Sequence, residues 1–174
     1  MTAHEYLEFE KSSEIRHEFV DGKLYAMAGE TLLHDDIVLN IVEALRTTAR
    51  AKSCQLHATN IQTLVKGNRY RYPDVVLTCE TIRNPRLIQA PCFILEVLSD
   101  STADVDHGIK LEESTNILSL QRYAIVSQNT RQVIVYKREG ERWTFEVLLE
   151  NGEIEIPCLE TSLTLEQIYA NLEF

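Results

Sequence analysis

The sequence predicts an α/β fold: a central mixed β-sheet flanked by helices, with a β-hairpin near the N-terminus and additional strands near the C-terminus. Three observations lead there. Helix-spaced and strand-like segments interleave along the chain. The two most apolar strand-like runs, 74–78 and 93–98, lie in mid-chain and lack polar alternation, which is the mark of strands covered on both faces. Acidic strands and a closing helix follow them, and these are expected to decorate one edge of the sheet. At 174 residues, with 44% hydrophobic and 25% charged residues, the chain is expected to form one domain over 1–174 with a core of its own.

Taken in order, residues 3–11 show the spacing of a short amphipathic helix. IRHEFVDGKLYAMAG then reads as two strands around Asp21-Gly22, a dipeptide suited to hairpin turns whose central residues need positive φ. From about 33 to 51, Ile37, Val38, Ile41 and Leu45 recur at helical spacing, and His34 falls on the same stripe. Strands are predicted at 54–58, 61–65, 74–78 and 93–98. The last two are separated by a loop containing Asn84-Pro85 and Ala90-Pro91. SDSTADVDHG is rich in helix-capping residues, so a helix is expected from near Asp106, past Lys110, to about Leu118. RYAIVSQ and QVIVYKR form a predicted hairpin around Asn129-Thr130, RWTFEVLL adds a strand, and LTLEQIYANL a final helix.

Composition excludes several classes. No apolar stretch approaches the roughly 20 residues that span a bilayer, and the N-terminal MTAHEYLEFEKSSE is acidic and amphipathic, unlike a signal or transit peptide. The cytoplasm is the expected compartment, with no membrane partner. Cys54, Cys79, Cys92 and Cys158 show no CxxC spacing; buried free thiols are expected, although pairing of the two apolar strands would bring Cys79 near Cys92. The net charge of −10 argues against bulk electrostatic attachment to nucleic acid. That charge is concentrated after residue 138, where nine acids face one arginine, while Lys66, Arg69 and Arg71 form a candidate basic rim in KGNRYRY.

The chemistry-bearing residues sit at the margins of the apolar strands. Glu96 closes an otherwise apolar run, where a charge is costly unless compensated. Asp74 opens the other run. Antiparallel pairing of 74–78 with 93–98 brings both carboxylates to one end of the sheet, and the carbonyl of Val97 adds a third hard-oxygen donor. Such a set suits Mg²⁺ or Mn²⁺, with water and phosphate completing the shell.

This arrangement resembles the PD-(D/E)XK nuclease superfamily, with Pro73-Asp74 as the PD and Glu96 as the second acid. The usual lysine slot holds Leu98, which cannot orient water, so the nearest candidate is Lys110 on the following helix. YPDVVLTCE, FILEVLSDST, DHGIK and SLQRYAIV, in this order and spacing, are similar to the putative-restriction-endonuclease (Uma-type) family, from about Glu5 to the final helix. The resemblance implies a restriction-endonuclease-like fold and a metal-dependent endonuclease acting on nucleic acid, with DNA the expected substrate. It implies Asp74, Glu96 and Lys110 as catalytic residues, and Asp74, Glu96 and Val97 as the metal site. Glu18, ahead of the hairpin turn, and His34, opening the long helix, also match the family pattern and stand as supporting residues. A homodimer is expected by analogy with enzymes that cut both strands. The chain departs from the family at Ser99-Asp100, where Ser-Pro is usual, at Asp106-His107, where Asp-Arg is usual, and at Ser114, where an aromatic is common.

Each residue also has a plainer explanation. Asp74 is a common strand-opening residue after proline, a structural ion pair with Lys110 is the main competing explanation of Glu96, and a solvated helix position that of Lys110. His34 suits a hydrogen-bonded imidazole at a helix start, and Glu18 an exposed hairpin residue. Two competing functions follow: a nuclease scaffold that binds or interacts without cutting, and a different hydrolase built on the same acids.

Overall fold

The computed structural model describes residues 1–98 and 106–174. A six-stranded mixed sheet at its centre has the order β11-β10-β9-β8-β6-β3. Its inner strands are β6 (Val75–Thr78), β8 (Phe93–Leu98) and β9 (Arg122–Ser127), with β3 (Gln55–Ala58) at one edge and β10 (Gln132–Glu139) and β11 (Arg142–Leu149) at the other. β8 and β9 run parallel; the remaining neighbours are antiparallel.

A second sheet of five strands has the order β2-β1-β5-β4-β7. β1 (His17–Val20) and β2 (Lys23–Ala26) form the predicted hairpin, and Asp21 and Gly22 both take positive φ, 50° and 85°, as its two-residue turn requires. β4 (Gln62–Lys66), β5 (Arg69–Arg71) and β7 (Leu87–Ile88) complete it. The loop predicted between β6 and β8 thus contains the short strand β7, which pairs parallel with β4.

The two faces of the central sheet are covered by different material. Alternation in β6 sends Val75 and Leu77 toward the long helix α2 (Leu32–Ala51), whose stripe of Ile37, Val38, Ile41, Leu45 and Ala49 is buried against them. Val76 and Ile94 point the other way, onto Val65, Ile88, Ile117 and Leu120. A small third cluster gathers Phe19 and Tyr70 around Tyr6 of α1 (Ala3–Ser12), a helix closed by a capping box between Thr2 and Glu5. α2 is capped in turn by Thr31, whose hydroxyl accepts from His34 N–H at 3.1 Å. No helix among the described residues is long and apolar enough to cross a membrane.

Three expectations are corrected. The helix foreseen over 106–118 begins as a π-helical turn, Asp106–Lys110, and continues as α3 only over Leu111–Thr115. It stops there because other groups take its terminal carbonyls: Asn116 Nδ2 donates to Glu112 O, while Arg138 and Trp143 both donate to Thr115 O. At the C-terminus, LTLEQIYANL splits between strand β13 (Thr161–Thr164), paired with β12 (Glu153–Ile156), and a single helical turn, α4 (Leu165–Ile168). Alternate residues Ile154, Ile156 and Leu163 are buried with α2, so this hairpin lies on the face of the sheet and not merely at its edge. Asn171 at φ 59° prevents the helix from continuing.

The cysteines are the third correction. They are not free thiols: Cys54 is bonded to Cys79, and Cys92 to Cys158. The β3–β6 register pairs Gln55 with Thr78, so Cys54 and Cys79 face each other one step beyond it, with Cα atoms 4.1 Å apart. Cys79 Sγ does lie near Cys92 Sγ, at 4.0 Å.

Ile94 is fully buried in the second core cluster, in the strand that carries Glu96. Ile94→Ala is expected to lower unfolding free energy by about 2–5 kcal/mol, read from urea titration.

Candidate functional site

The pairing of β6 with β8 sets Val75 opposite Leu95 and Val76 opposite Ile94. One step further, Asp74 comes opposite Glu96 at the same end of the sheet. Both residues line a cavity of about 420 Å³, together with Glu18, His34, Arg71, Tyr72, Val97 and Lys110. All six residues singled out in the sequence, Glu18, His34, Asp74, Glu96, Val97 and Lys110, are therefore brought to one place.

Asp74 is held through one oxygen. Its Oδ2 accepts from Val97 N–H at 2.7 Å and lies 3.2 Å from His34 Nε2, while Oδ1 has no protein hydrogen bond among the described residues. The backbone of Val97 thus orients Asp74 through its amide. His34 reaches the site because the first turn of α2 points its stripe inward, and its side chain is only 2% exposed. Burial works against the imidazolium, but the hydrogen bond to Asp74 and the charges of Asp74, Glu30 and Asp35 outweigh it and hold the pKa above the ordinary 6.5.

Lys110 is the last residue of the π turn, a wider helical turn that is rare and concentrated at functional sites. Its ammonium faces inward: Nζ donates to Glu96 Oε2 at 3.3 Å and lies 3.9 Å from Glu18 Oε1. The Glu96 side chain is 5% exposed and that of Lys110 12%. Glu18 is in place because β1 pairs with β5 through Phe19 and Tyr70, which sets Glu18 across from Arg71. Arg71 Nη1 donates to Glu18 Oε2 at 2.6 Å, and Tyr72 N–H reaches Oε1 at 3.4 Å.

The expected basic rim is neutralised. Arg69 is paired with Asp21 and Glu113, Arg71 with Glu18 and Glu113, and Lys66 with Glu112. Glu113, 1% exposed, takes Arg71 Nε at 2.8 Å and Nη2 at 3.0 Å in a forked pair. Sequence reading passed over Glu113. Its one signal was its place one helical turn after Lys110 on a helix that faces the strand of Arg71.

The donor chemistry fits a hard divalent cation. Four carboxylates in the cavity wall (Glu18, Glu30, Asp74 and Glu96) face Arg71 and Lys110, a formal charge of −2 with His34 neutral. Among the described residues no third carboxylate or imidazole closes around Asp74 and Glu96 tightly enough to complete a protein-only shell of ligand atoms within 4.8 Å of one another. Two carboxylates, with water and substrate filling the remaining positions, is the usual protein share of a magnesium site. The Ser99-Asp100 departure lies outside the described residues.

The profile of the Uma2 family, described as "Putative restriction endonuclease", matches residues 3–168. The uncharacterized protein slr1290 of Synechocystis sp. is 27% identical over 178 residues, covering 100% of this chain and 94% of its own length. A second uncharacterized protein of that organism, sll1609, is 29% identical over 167 residues, covering 92% of this chain and 94% of its own. Among solved structures, a crystal structure described as a putative nuclease belonging to DUF820, from Anabaena variabilis, superposes with a TM-score of 0.81. It covers 98% of both chains at 15% sequence identity and so matches in fold.

Removing the buried Glu113 carboxylate takes two hydrogen bonds from Arg71 and leaves it Glu18 alone, so Glu113→Ala is expected to cost about 3–5 kcal/mol of stability, measured by denaturant unfolding. A loss below about 1 kcal/mol would show that Glu18 alone suffices as the counter-charge of Arg71.

Proposed function

Since this chain belongs to the Uma2 family of putative restriction endonucleases, we propose that it is a divalent-metal-dependent endonuclease hydrolysing phosphodiester bonds, with DNA as substrate. The observation that carries this reading is the inward-facing Lys110 ammonium, 3.3 Å from Glu96 in the cavity that Asp74 also lines. Asp74 and Glu96, with the carbonyl of Val97, would hold Mg²⁺ or Mn²⁺. When bound, the ion would polarise the phosphoryl oxygen and acidify water.

The rest is the work of the chain. Val97 N–H and His34 engage one oxygen of Asp74 and leave the other for the ion. Glu96 and Glu18 hold the Lys110 ammonium pointed inward. From there its ammonium orients the attacking water and stabilises the negative charge that builds on the phosphoryl group. Arg71 prevents Glu18 from adding an uncompensated charge at the same place. Cutting both strands of a duplex calls for two such sites, which a homodimer supplies.

Asp74→Asn, Glu96→Gln and Lys110→Met each are expected to lower metal-dependent plasmid nicking by at least about 10²-fold, with circular dichroism unchanged. Calorimetry separates their roles: the two acid variants lose Mn²⁺ binding, whereas the lysine variant keeps it and loses turnover. Full nicking by Asp74→Asn would refute the assignment.

One observation favours a second reading, a nuclease scaffold that binds without cutting. Lys66, Arg69 and Arg71, the cations of the KGNRYRY segment, are all ion-paired within the protein. Intact Mn²⁺ binding without any nicking of DNA, RNA or small phosphodiesters would support it.

A further inference from the structure

The four cysteines converge at the end of the central sheet opposite the acidic cavity. Cys54 precedes β3, Cys79 follows β6, Cys92 precedes β8, and Cys158 lies in the 3₁₀ turn Pro157–Leu159 between β12 and β13. The Sγ atoms of Cys79, Cys92 and Cys158 all lie within 4.8 Å of one another, and Cys54 Sγ is bonded to the first of them. All four sulfurs therefore occupy a single cluster, although their sequence positions form no metal-binding motif.

We propose that, in the reduced chain, Cys54, Cys79, Cys92 and Cys158 bind one Zn²⁺ as a tetrahedral four-thiolate site that clasps the C-terminal hairpin to the core. Four sulfurs at about 2.3 Å from zinc lie about 3.8 Å apart. The 4.0 Å between Cys79 and Cys92, which belong to different disulfides, is already close to that separation. The backbone that carries the sulfurs is anchored: Cys54 N–H donates to Ala49 O and Cys92 N–H to Leu77 O, both at 2.8 Å. Cys54 and Cys92 are buried, and Cys79 is exposed enough to admit an ion. Thiolates select zinc and other soft ions over magnesium, so this site is chemically distinct from the carboxylate cavity.

The two disulfides and the zinc site are alternative states of the same sulfurs. Reducing both disulfides takes four electrons and four protons, which two equivalents of a trialkylphosphine and two of water supply, each phosphine leaving as its oxide. Binding then replaces four S–H bonds by four Zn–S bonds and releases four protons to solvent. In a reducing compartment, where disulfides are rare, the metal would supply the cross-link that the disulfides supply under oxidation.

The test uses the full chain, reduced anaerobically with phosphine, freed of reductant and titrated with Co²⁺ and then Zn²⁺. One Co²⁺ per chain should bind with the intense sulfur-to-cobalt charge transfer of a tetrahedral thiolate site. One Zn²⁺ should displace it, protect all four thiols from a disulfide reagent and raise the melting temperature until a chelator is added. Cys158→Ser should weaken zinc by more than the ~10–100-fold that outer-shell changes cost. If that variant does not fold, the same loss is expected of Cys79→Ser at the exposed position. Four freely reactive thiols in the presence of zinc, or a cobalt spectrum without charge transfer, would overturn the proposal. Nicking activity plays no part in this test, so its failure leaves the nuclease reading untouched.

Discussion

The pairing of β6 with β8 is the constraint on which the rest of the molecule depends. Side chains alternate along a strand, so a slip of one residue would move Asp74 away from Glu96 and turn every core residue of β6 to the wrong face. The register is secured on both faces at once: Val75 and Leu77 are buried against α2 while Val76 is buried against the second sheet. β8 is held from its other side by its parallel pairing with β9, which runs the whole length from Phe93 to Leu98. The acidic residues at the strand ends are thus placed by apolar packing several residues away.

Around that pair, polar groups are arranged in two tiers. The inner tier acts on the acids themselves: Val97 N–H and His34 on Asp74, Lys110 on Glu96. The outer tier holds the inner one. Glu18 faces Lys110 and is itself gripped by Arg71, whose guanidinium is fixed by Glu113 one helical turn beyond Lys110. The helix that supplies the lysine thus also supplies the anchor for the arginine opposite it. That doubly used helix is short, and its far end is tied down by Arg138 and Trp143. A partly buried ammonium needs such support, because without compensating carboxylates desolvation would favour its neutral form.

Much of this was legible in the sequence because it follows from local rules. The Asp21-Gly22 hairpin and the stripe of α2 each rest on a turn residue or a periodicity within a few positions, and the antiparallel relation of the two apolar runs was supposed from the single loop that joins them. What escaped rests on long-range pairing. Cys54 and Cys79 face each other only because β3 joins β6, and nothing in the sequence around residue 54 names its partner strand. Glu113 drew no attention in the sequence because its partners, Arg69 and Arg71, lie far back along the chain on β5. The closing helix was foreseen as longer because Leu163, Leu165 and Ile168 fit more than one periodicity. Burial of Ile154, Ile156 and Leu163 on one side of a hairpin decided for the strand.

The carriers of Asp74 and Glu96 are also, at their other ends, neighbours of Cys79 and Cys92. Two strands of four and six residues therefore present hard oxygens at one margin and sulfurs at the other. Carboxylate oxygens suit hard ions such as magnesium, whereas thiolates suit soft ones such as zinc, so the two margins differ in the chemistry they offer. The Cys54–Cys79 and Cys92–Cys158 disulfides cross-link the sulfur end, so they restrain the same two strands that carry the acids at the other.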